Sequence, residues 1–337
     1  MTDYLRPIVQ TDPARPAAAL SLAGGWGWFT HVERLSRHAA SQIVPADQIA
    51  PERLAPLTAS RAAIAGMQMD RPRVMGILNT TPDSFSDGGR HMGAEAALAA
   101  ARGMALADII DIGGESTRPG AATVSEEEEI ARTAPVIKAL RAGGIMAPFS
   151  IDTRKAAVAE AALQSGAGLV NDVSGFTFDD ALAPLCAARG IPVCVMHAQG
   201  DPATMQQDPT YDNVLLDVYD FLDGQIARLE AQGIARDRII ADPGIGFGKT
   251  LQHNLTLLSR LSLFHGLGVP ILLGASRKGF IGTLSGVERA DQRMPGSLAV
   301  ALAALKHGTQ IVRVHDVPET AQAIALWRAA VAGTRDG

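Results

Sequence analysis

The sequence is poor in aromatic residues, which fill 4% of its 337 positions, and it holds only two cysteines. Cys186 and Cys194 lie in no CxxC or Cys/His pattern. That argues against a disulfide framework or a structural zinc site and points to a reducing, cytoplasmic setting. Long apolar runs are also missing, and no stretch approaches the ~18 uninterrupted apolar residues of a membrane span. The segment Pro16 to Phe29 is apolar, but Asp12 and Arg15 precede it and Gly24, Gly25 and Gly27 interrupt it, which reads against a secretory leader. Nor is there an excess of positive charge. With 35 acidic against 30 basic residues and a net charge of -5, a broad nucleic-acid surface is excluded. What remains, at 47% apolar and 19% charged residues, is an ordinary soluble globular chain of one large or two small domains whose function must come from local sites.

From about Arg73 onward, short β-type runs alternate with Ala/Leu-rich helical stretches. The runs are Arg73 to Leu78, Ile109 to Ile112, Ala147 to Ile151, Gly168 to Val173, Pro192 to Met196, Arg238 to Ala241, Pro270 to Leu273 and Gln310 to Val314. Ala94 to Ala107, Glu126 to Arg141, Arg154 to Ser165 and Val214 to Gln232 read as helices. Strict alternation implies parallel strands with right-handed crossovers. Eight units over residues 71–333 predict an α/β fold, a (β/α)8 TIM barrel; a doubly wound open sheet is the rival. Polar residues close almost every run: Asn79, Asp111, Asp152, Asn171, Asp172, His197, Asp242, Ser276, Arg313 and His315. A barrel gathers all of them on one rim, whereas an open sheet spreads them along a line too long for one small ligand, so the barrel is favoured. Residues 1–70 break the rhythm and read as an N-terminal extension of unknown role. It would carry short helices near Val32 to Ala40 and Pro51 to Ile64 and pack on the barrel's outside or N-terminal end. Glu126 to Glu129, after Ser125, reads as a solvated helix start.

Several strand-end segments carry chemistry. The loop after the first run, from Asn79 through Asp87 to Gly89, holds an amide, four hydroxyls, two carboxylates and two glycines. Asn79 could offer its carbonyl oxygen to Mg²⁺, which takes a few hard oxygens supplemented by water and phosphate, or simply form an Asx turn before Pro82. Asp111-Ile-Gly-Gly-Glu-Ser-Thr-Arg-Pro-Gly120 combines three glycines for close backbone approach with Arg118, a planar fork suited to phosphate. Asp152, Asn171 and Asp242 would suit a flat heterocycle with a guanidine-like edge, because adjacent N–H donors match the two oxygens of a carboxylate. Asp152 could equally be a helix cap. Gly248-Lys249-Thr250 imitates a P-loop but fails, because Pro243 stands where the first glycine must be. A glycine-lined wall with Phe247 against a bound ring is the better reading. Lys278, Arg313 and His315 add positive charge after the seventh and eighth runs, where TIM barrels often bind phosphate.

Taken together, the blocks GILNTTPDSFSDGG, DIGGESTRPGA, SIDTRK, NDVSG, VMHAQG, DPGIGFGK, GASRKGFIG and IVRVHDV resemble the dihydropteroate synthases, a family of pterin-binding TIM barrels. No single block is specific; eight in one order are. The resemblance covers roughly residues 71–333. It implies condensation of 6-hydroxymethyl-7,8-dihydropterin diphosphate with 4-aminobenzoate to give dihydropteroate and diphosphate, with Mg²⁺ as cofactor. By motif, Asp152, Asn171, Met196, Asp242, Gly246, Phe247 and Lys278 would hold the pterin, and Asn79, Thr117, Arg118, Arg313 and His315 the diphosphate, with Asn79 as metal ligand. Phe85, Thr117, Arg118, Pro119, Phe247 and Gly279 would form the 4-aminobenzoate pocket. Asp87, Asp111 and Lys278 are the catalytic candidates. A cytoplasmic homodimer and a sulfonamide target are implied, with no nucleic-acid or membrane partner. Gly279 departs from the family's usual Ser, and Ala198 from a common Met; both bear on affinity more than on reaction type. Folate methyltransferases that act with corrinoid partners share the barrel and its Asp/Asn site but handle no diphosphate, and a non-catalytic pterin-binding paralogue is a further alternative.

Overall fold

A computed structural model describes residues 3–80, 90–116, 123–200 and 204–334. Ahead of the barrel, β1 (Tyr4–Pro7), β2 (Leu20–Ser21), β3 (Trp28–Phe29), β4 (His31–Leu35) and β5 (Gln42–Pro45) form two small antiparallel sheets, β1-β4-β5 and β2-β3, and α1 (Pro51–Thr58) follows. Leu5, Leu22, Phe29, Val32, Leu54 and Leu57 make their shared core. The helix expected near Val32 to Ala40 is absent: β4 occupies its first half, with Val32 opposite Pro7 on one side and Val44 on the other. Pairing on both edges outweighs the weak local helix preference of this stretch. The second expected helix ends at Thr58 rather than Ile64.

The chain then runs through β6 (Arg73–Asn79), β7 (Ile109–Gly113), β8 (Phe149–Asp152), β9 (Leu169–Asp172), β10 (Val193–Met196), β11 (Ile239–Asp242), β12 (Leu272–Leu273) and β13 (Ile311–Val314). These form an 8-stranded parallel sheet in which β13 returns to β6, and an isolated Ala241–Ile271 bridge joins β11 to β12. The ring is therefore closed, as eight β/α units require. Between the strands lie α2 (Arg90–Gly103), α3 (Glu126–Ala142), α4 (Ala156–Ser165), α5 (Leu182–Arg189), α6 (Val214–Ala231), α7 (Leu251–Leu258), α8 (Gly279–Ser285) and α9 (Met294–Lys306), and α10 (Val317–Ala332) follows the last strand. Gly166, Gly190 and Gly286 end α4, α5 and α8 in the left-handed region, which costs glycine little.

The period-two alternation of strands sets the interior. Ile110, Ile112, Val170, Val193, Val195, Ile239 and Ala241 face the helices. Met75, Ile109, Leu169, Cys194, Ile240, Leu272 and Ile311 face the axis near the strand starts, where Ile64, Met67 and Met69 pack beneath them. The segment after α1 thus closes the N-terminal end, its turn fixed by the Ile64–Met67 bridge. The rest of the extension lies outside the barrel. Tyr4 donates to Asp220 of α6 over 2.9 Å, and Trp26 Nε1 donates to the Leu305 carbonyl of α9 over 2.9 Å. Met69 is 1% exposed, so Met69→Ala is expected to lower stability by about 2–5 kcal/mol, read as the shift of the urea midpoint at unchanged slope.

Candidate active site

Two residues further along β7, β9, β11 and β13, the inward positions change from apolar to polar. On β7 Ile109 is followed by Asp111, on β9 Leu169 by Asn171, on β11 Ile240 by Asp242 and on β13 Ile311 by Arg313. Asp152 on β8 and Met196 on β10 complete this layer. Gly113 and Gly274 leave space in it: a Cβ at Gly113 would lie 3.5 Å from Asp152 Cβ and 3.8 Å from Asn79 Oδ1, and one at Gly274 would lie 3.5 Å from Asp242 Oδ2. Asn79, Asp152, Asp242 and Arg313 therefore share one end of the barrel.

Arg313 organises this end. Its Nε lies 2.6 Å from Asp111 Oδ2 and its Nη2 2.6 Å from Asp152 Oδ2, while Asn171 Nδ2 donates to the same Asp111 oxygen over 3.0 Å. With one amide N–H committed to Asp111, the Asn171 side chain keeps its second N–H and its carbonyl oxygen for a ligand. Burial pushes the Asp152 carboxyl up to about 7, Arg313 opposing and Asp111 adding to the rise. For Arg313, burial alone would lower the guanidinium, but the charges of Asp111 and Asp152 hold it above its usual range. Asp152 caps no helix, since α4 begins after Lys155.

Across the pocket, Asp242 Oδ1 accepts from the Gly244 N–H over 2.7 Å. Desolvation raises its pKa, and the nearby charge of Lys278 opposes that. Burial brings the Lys278 ammonium down to about 7, with Asp242 pulling the other way. Lys278 Nζ donates to the Ile245 carbonyl and lies 4.2 Å from the centroid of the Phe247 ring, a cation–π contact that favours the charged form. Gly246 supplies room for this chain, since a Cβ there would meet Lys278 Cδ at 3.1 Å. His315 is oriented by Ser276, whose Oγ lies 3.0 Å from Nδ1 and accepts the His315 N–H over 3.2 Å. Arg277, between Ser276 and Lys278, holds φ at +60 and is clamped by Asp316 and by the Ser297 hydroxyl. Gly279 opens α8, and a Cβ there would meet nothing within 4 Å, so a serine would fit.

Phe85, Asp87, Thr117, Arg118 and Pro119 lie outside the described residues. The remaining candidates, Asn79, Asp111, Asp152, Asn171, Met196, Asp242, Gly246, Phe247, Lys278, Gly279, Arg313 and His315, all lie toward the C-terminal ends of their strands, in the loops that follow or, for Gly279, at the helix start after such a loop. Asp172, by contrast, points outward and fastens a turn through the N–H groups of Ser174 and Phe176.

Sequence reasoning passed over a buried ionic group beside the pocket. Glu115 lies 3.2 Å from Arg154 and 3.3 Å from Lys155, which in turn lies 2.6 Å from Glu129. Glu129 is 0% exposed, so the acidic first turn of α3 is not wholly solvated. Both stems of the 115–124 segment are tied here, because Glu115 accepts the Val124 N–H over 2.8 Å and Lys155 donates to the Val124 carbonyl over 2.6 Å. Three glutamates ahead of the buried one disguised it, and the signal lay in the helical spacing that puts Glu129 on one face with Thr133, Val136 and Leu140.

A closed (β/α)8 ring with a mixed carboxylate, amide and cation layer at its C-terminal end defines a polar small-molecule site. The chain belongs to the pterin binding enzyme family, whose model matches residues 75–315. It is 48% identical over 262 residues to a dihydropteroate synthase of Escherichia coli, covering 77% of this chain and 92% of that relative. Among solved structures, the Yersinia pestis dihydropteroate synthase with a sulfonamide drug complex superposes with a TM-score of 0.75 at 46% identity, over 80% of this chain and 98% of that one. The Xanthomonas albilineans dihydropteroate synthase in complex with 7,8-dihydropteroate does so with a TM-score of 0.70 at 42% identity, over 78% and 95%.

Proposed function

We infer that this protein is a dihydropteroate synthase, a transferase of folate biosynthesis that joins 6-hydroxymethyl-7,8-dihydropterin diphosphate to 4-aminobenzoate. The observation that carries this reading is the convergence of Asp111, Asp152, Asn171, Asp242, Lys278 and Arg313 on one barrel end, in a chain so closely related to enzymes of that name.

In this reading the pterin lies flat on the polar layer, its guanidine-like edge on Asp242 and Asp152, with Asn171, Met196, Gly246, Phe247 and Lys278 around it. The diphosphate meets Arg313 and His315, with Asn79, Thr117 and Arg118. Phe85, Thr117, Arg118, Pro119, Phe247 and the N–H of Gly279 serve 4-aminobenzoate. The bond from the pterin methylene carbon to diphosphate oxygen breaks, the arylamine nitrogen bonds to that carbon, and the amine proton leaves to water or to the departing diphosphate. Fixed charges stabilise both halves: the cationic side chains take up the leaving anion, while Asp111 and Asp87 stabilise the pterin methylene cation. The donor set suits Mg²⁺, since Asn79 Oδ1 gives one hard oxygen beside Asp152 and leaves the others to water and diphosphate. Bound there, the ion would neutralise the leaving group. No trio of His, Cys, Asp or Glu side chains among the described residues forms a cage.

The reading extends to a cytoplasmic homodimer, the location supported by two free, buried cysteines. It takes residues 71–333 as the catalytic barrel and residues 1–70 as an extension outside the chemistry, and it makes the protein a sulfonamide target. No helix among the described residues is long and apolar enough to cross a membrane. Incubation with the pterin diphosphate, 4-aminobenzoate and Mg²⁺ should release diphosphate in step with new dihydropteroate. Tight pterin binding without product would instead mark a non-catalytic paralogue, and methyl transfer from a folate a methyltransferase.

A further inference from the structure

Lys249 is buried, at 2% exposure, and among the described residues no carboxylate hydrogen-bonds or ion-pairs with it. Its Nζ lies 2.8 Å from His197 Nδ1, 3.3 Å from the His197 carbonyl and 3.0 Å from the Phe247 carbonyl. Three acceptors satisfy an ammonium completely. A neutral amine keeps the same contacts by giving two N–H bonds to the carbonyls and accepting from a protonated Nδ1. The anchor therefore needs no net charge, and burial together with the neighbouring charge of Lys278 does hold Lys249 well below its usual range.

These contacts join two loops that press on each other. A Cβ at Gly244 would overlap the His197 carbonyl, and one at Gly248 would overlap Gln199. The imidazole of His197 is boxed by Phe221, in edge contact at 4.9 Å, and by Tyr211, whose hydroxyl donates to the Gly248 carbonyl over 2.7 Å. The loop 243–248 is thus pinned at its start by Asp242, through the Gly244 N–H, and at its end by Lys249. Between the pins sit both groups that locate Lys278, namely the Ile245 carbonyl and the Phe247 ring.

We propose that Lys249 is a positioning residue for pterin recognition, tying the loop 243–248 to the end of β10 so that Phe247 and Lys278 stay in register with Asp242. The proposal rests on the reading of this end of the barrel as the pterin site. It predicts a selective effect, because the groups assigned to diphosphate, Asn79, Thr117, Arg118, Arg313 and His315, lie on or after β6, β7 and β13 rather than on the loops after β10 and β11 that this tie joins.

In the full-length Lys249→Met variant, which keeps the chain's length and removes its bonds, the dissociation constant of unphosphorylated 6-hydroxymethylpterin should rise about tenfold by calorimetry, while that of inorganic diphosphate moves less than twofold. In turnover, KM for the pterin diphosphate should rise with kcat nearly unchanged. Should that variant fail to fold, His197→Phe tests the same tie, since it removes the Nδ1 partner and leaves both carbonyls; it should weaken the pterin about threefold and spare diphosphate. Unchanged pterin affinity in a folded variant, or equal losses for both ligands, overturns the proposal. If wild type binds the pterin and Asp242→Asn does not, such a result overturns this inference alone; if wild type binds no pterin, the functional reading falls with it.

Discussion

Asp242→Asn is expected to weaken binding of the unphosphorylated pterin at least a hundredfold, about 2.8 kcal/mol, with diphosphate affinity nearly kept. The carboxylate offers two oxygens to adjacent N–H donors in a buried, charge-assisted pair. An amide turns one of them into a donor, which meets the ligand's own N–H groups head-on and leaves a buried polar group unmatched. The substitution also removes the charge that sustains the Lys278 ammonium, so that lysine should titrate below its present value of about 7. Calorimetry with the isolated pterin checks this, and retained affinity would take Asp242 out of the pocket.

Arg313→Met is expected to cost both stability and diphosphate capture. The guanidinium bridges Asp111, which is 0% exposed, and Asp152, and removing one partner of a buried ionic group typically costs about 3–5 kcal/mol. The pH dependence has a definite sign. Burial raises Asp152 from 3.8 to about 7 although Arg313 pulls it down, so the native state binds more protons at this group than the unfolded chain does in that window. Its contribution to stability is present at low pH and is lost as pH rises through about 7. Without Arg313 the folded pKa climbs further. Below about 7 both proteins keep Asp152 largely protonated, and the variant loses mainly the pairing with Asp111. Above it, the wild type ionises Asp152 against Arg313 and the variant cannot, so the stability gap should widen from pH 6 to pH 8 in urea melts. Because Arg313 also holds Asp152, pterin affinity should fall along with diphosphate affinity, diphosphate falling further; equal stability of the two proteins at both pH values would remove the bridge.

The barrel was legible because its strands are buried on both faces and read as separate apolar runs, each closed by a polar residue. The site was legible through the same rhythm, since Asp111, Asn171, Asp242 and Arg313 stand two positions after Ile109, Leu169, Ile240 and Ile311. Three kinds of feature were not. Strand β4 depends on partners 25 to 31 positions before and 8 to 14 after its residues, which no local pattern records. That Arg313 lies between two aspartates is a contact across 202 and 161 positions of sequence; composition gave only a basic residue on the rim. Lys249 looked like part of a failed P-loop because its meaning lies in the His197 carbonyl, in the loop after β10.

Beneath the polar layer, the sleeve of methionine, isoleucine, leucine and cysteine side chains corked by Ile64, Met67 and Met69 makes the interior a one-ended well. Field lines from the carboxylates and cations find low polarizability below them and high dielectric only above, so they emerge at the open rim. A charged reactant is therefore guided from one direction, and alterations to the N-terminal extension are screened from the reacting atoms by a full storey of hydrocarbon.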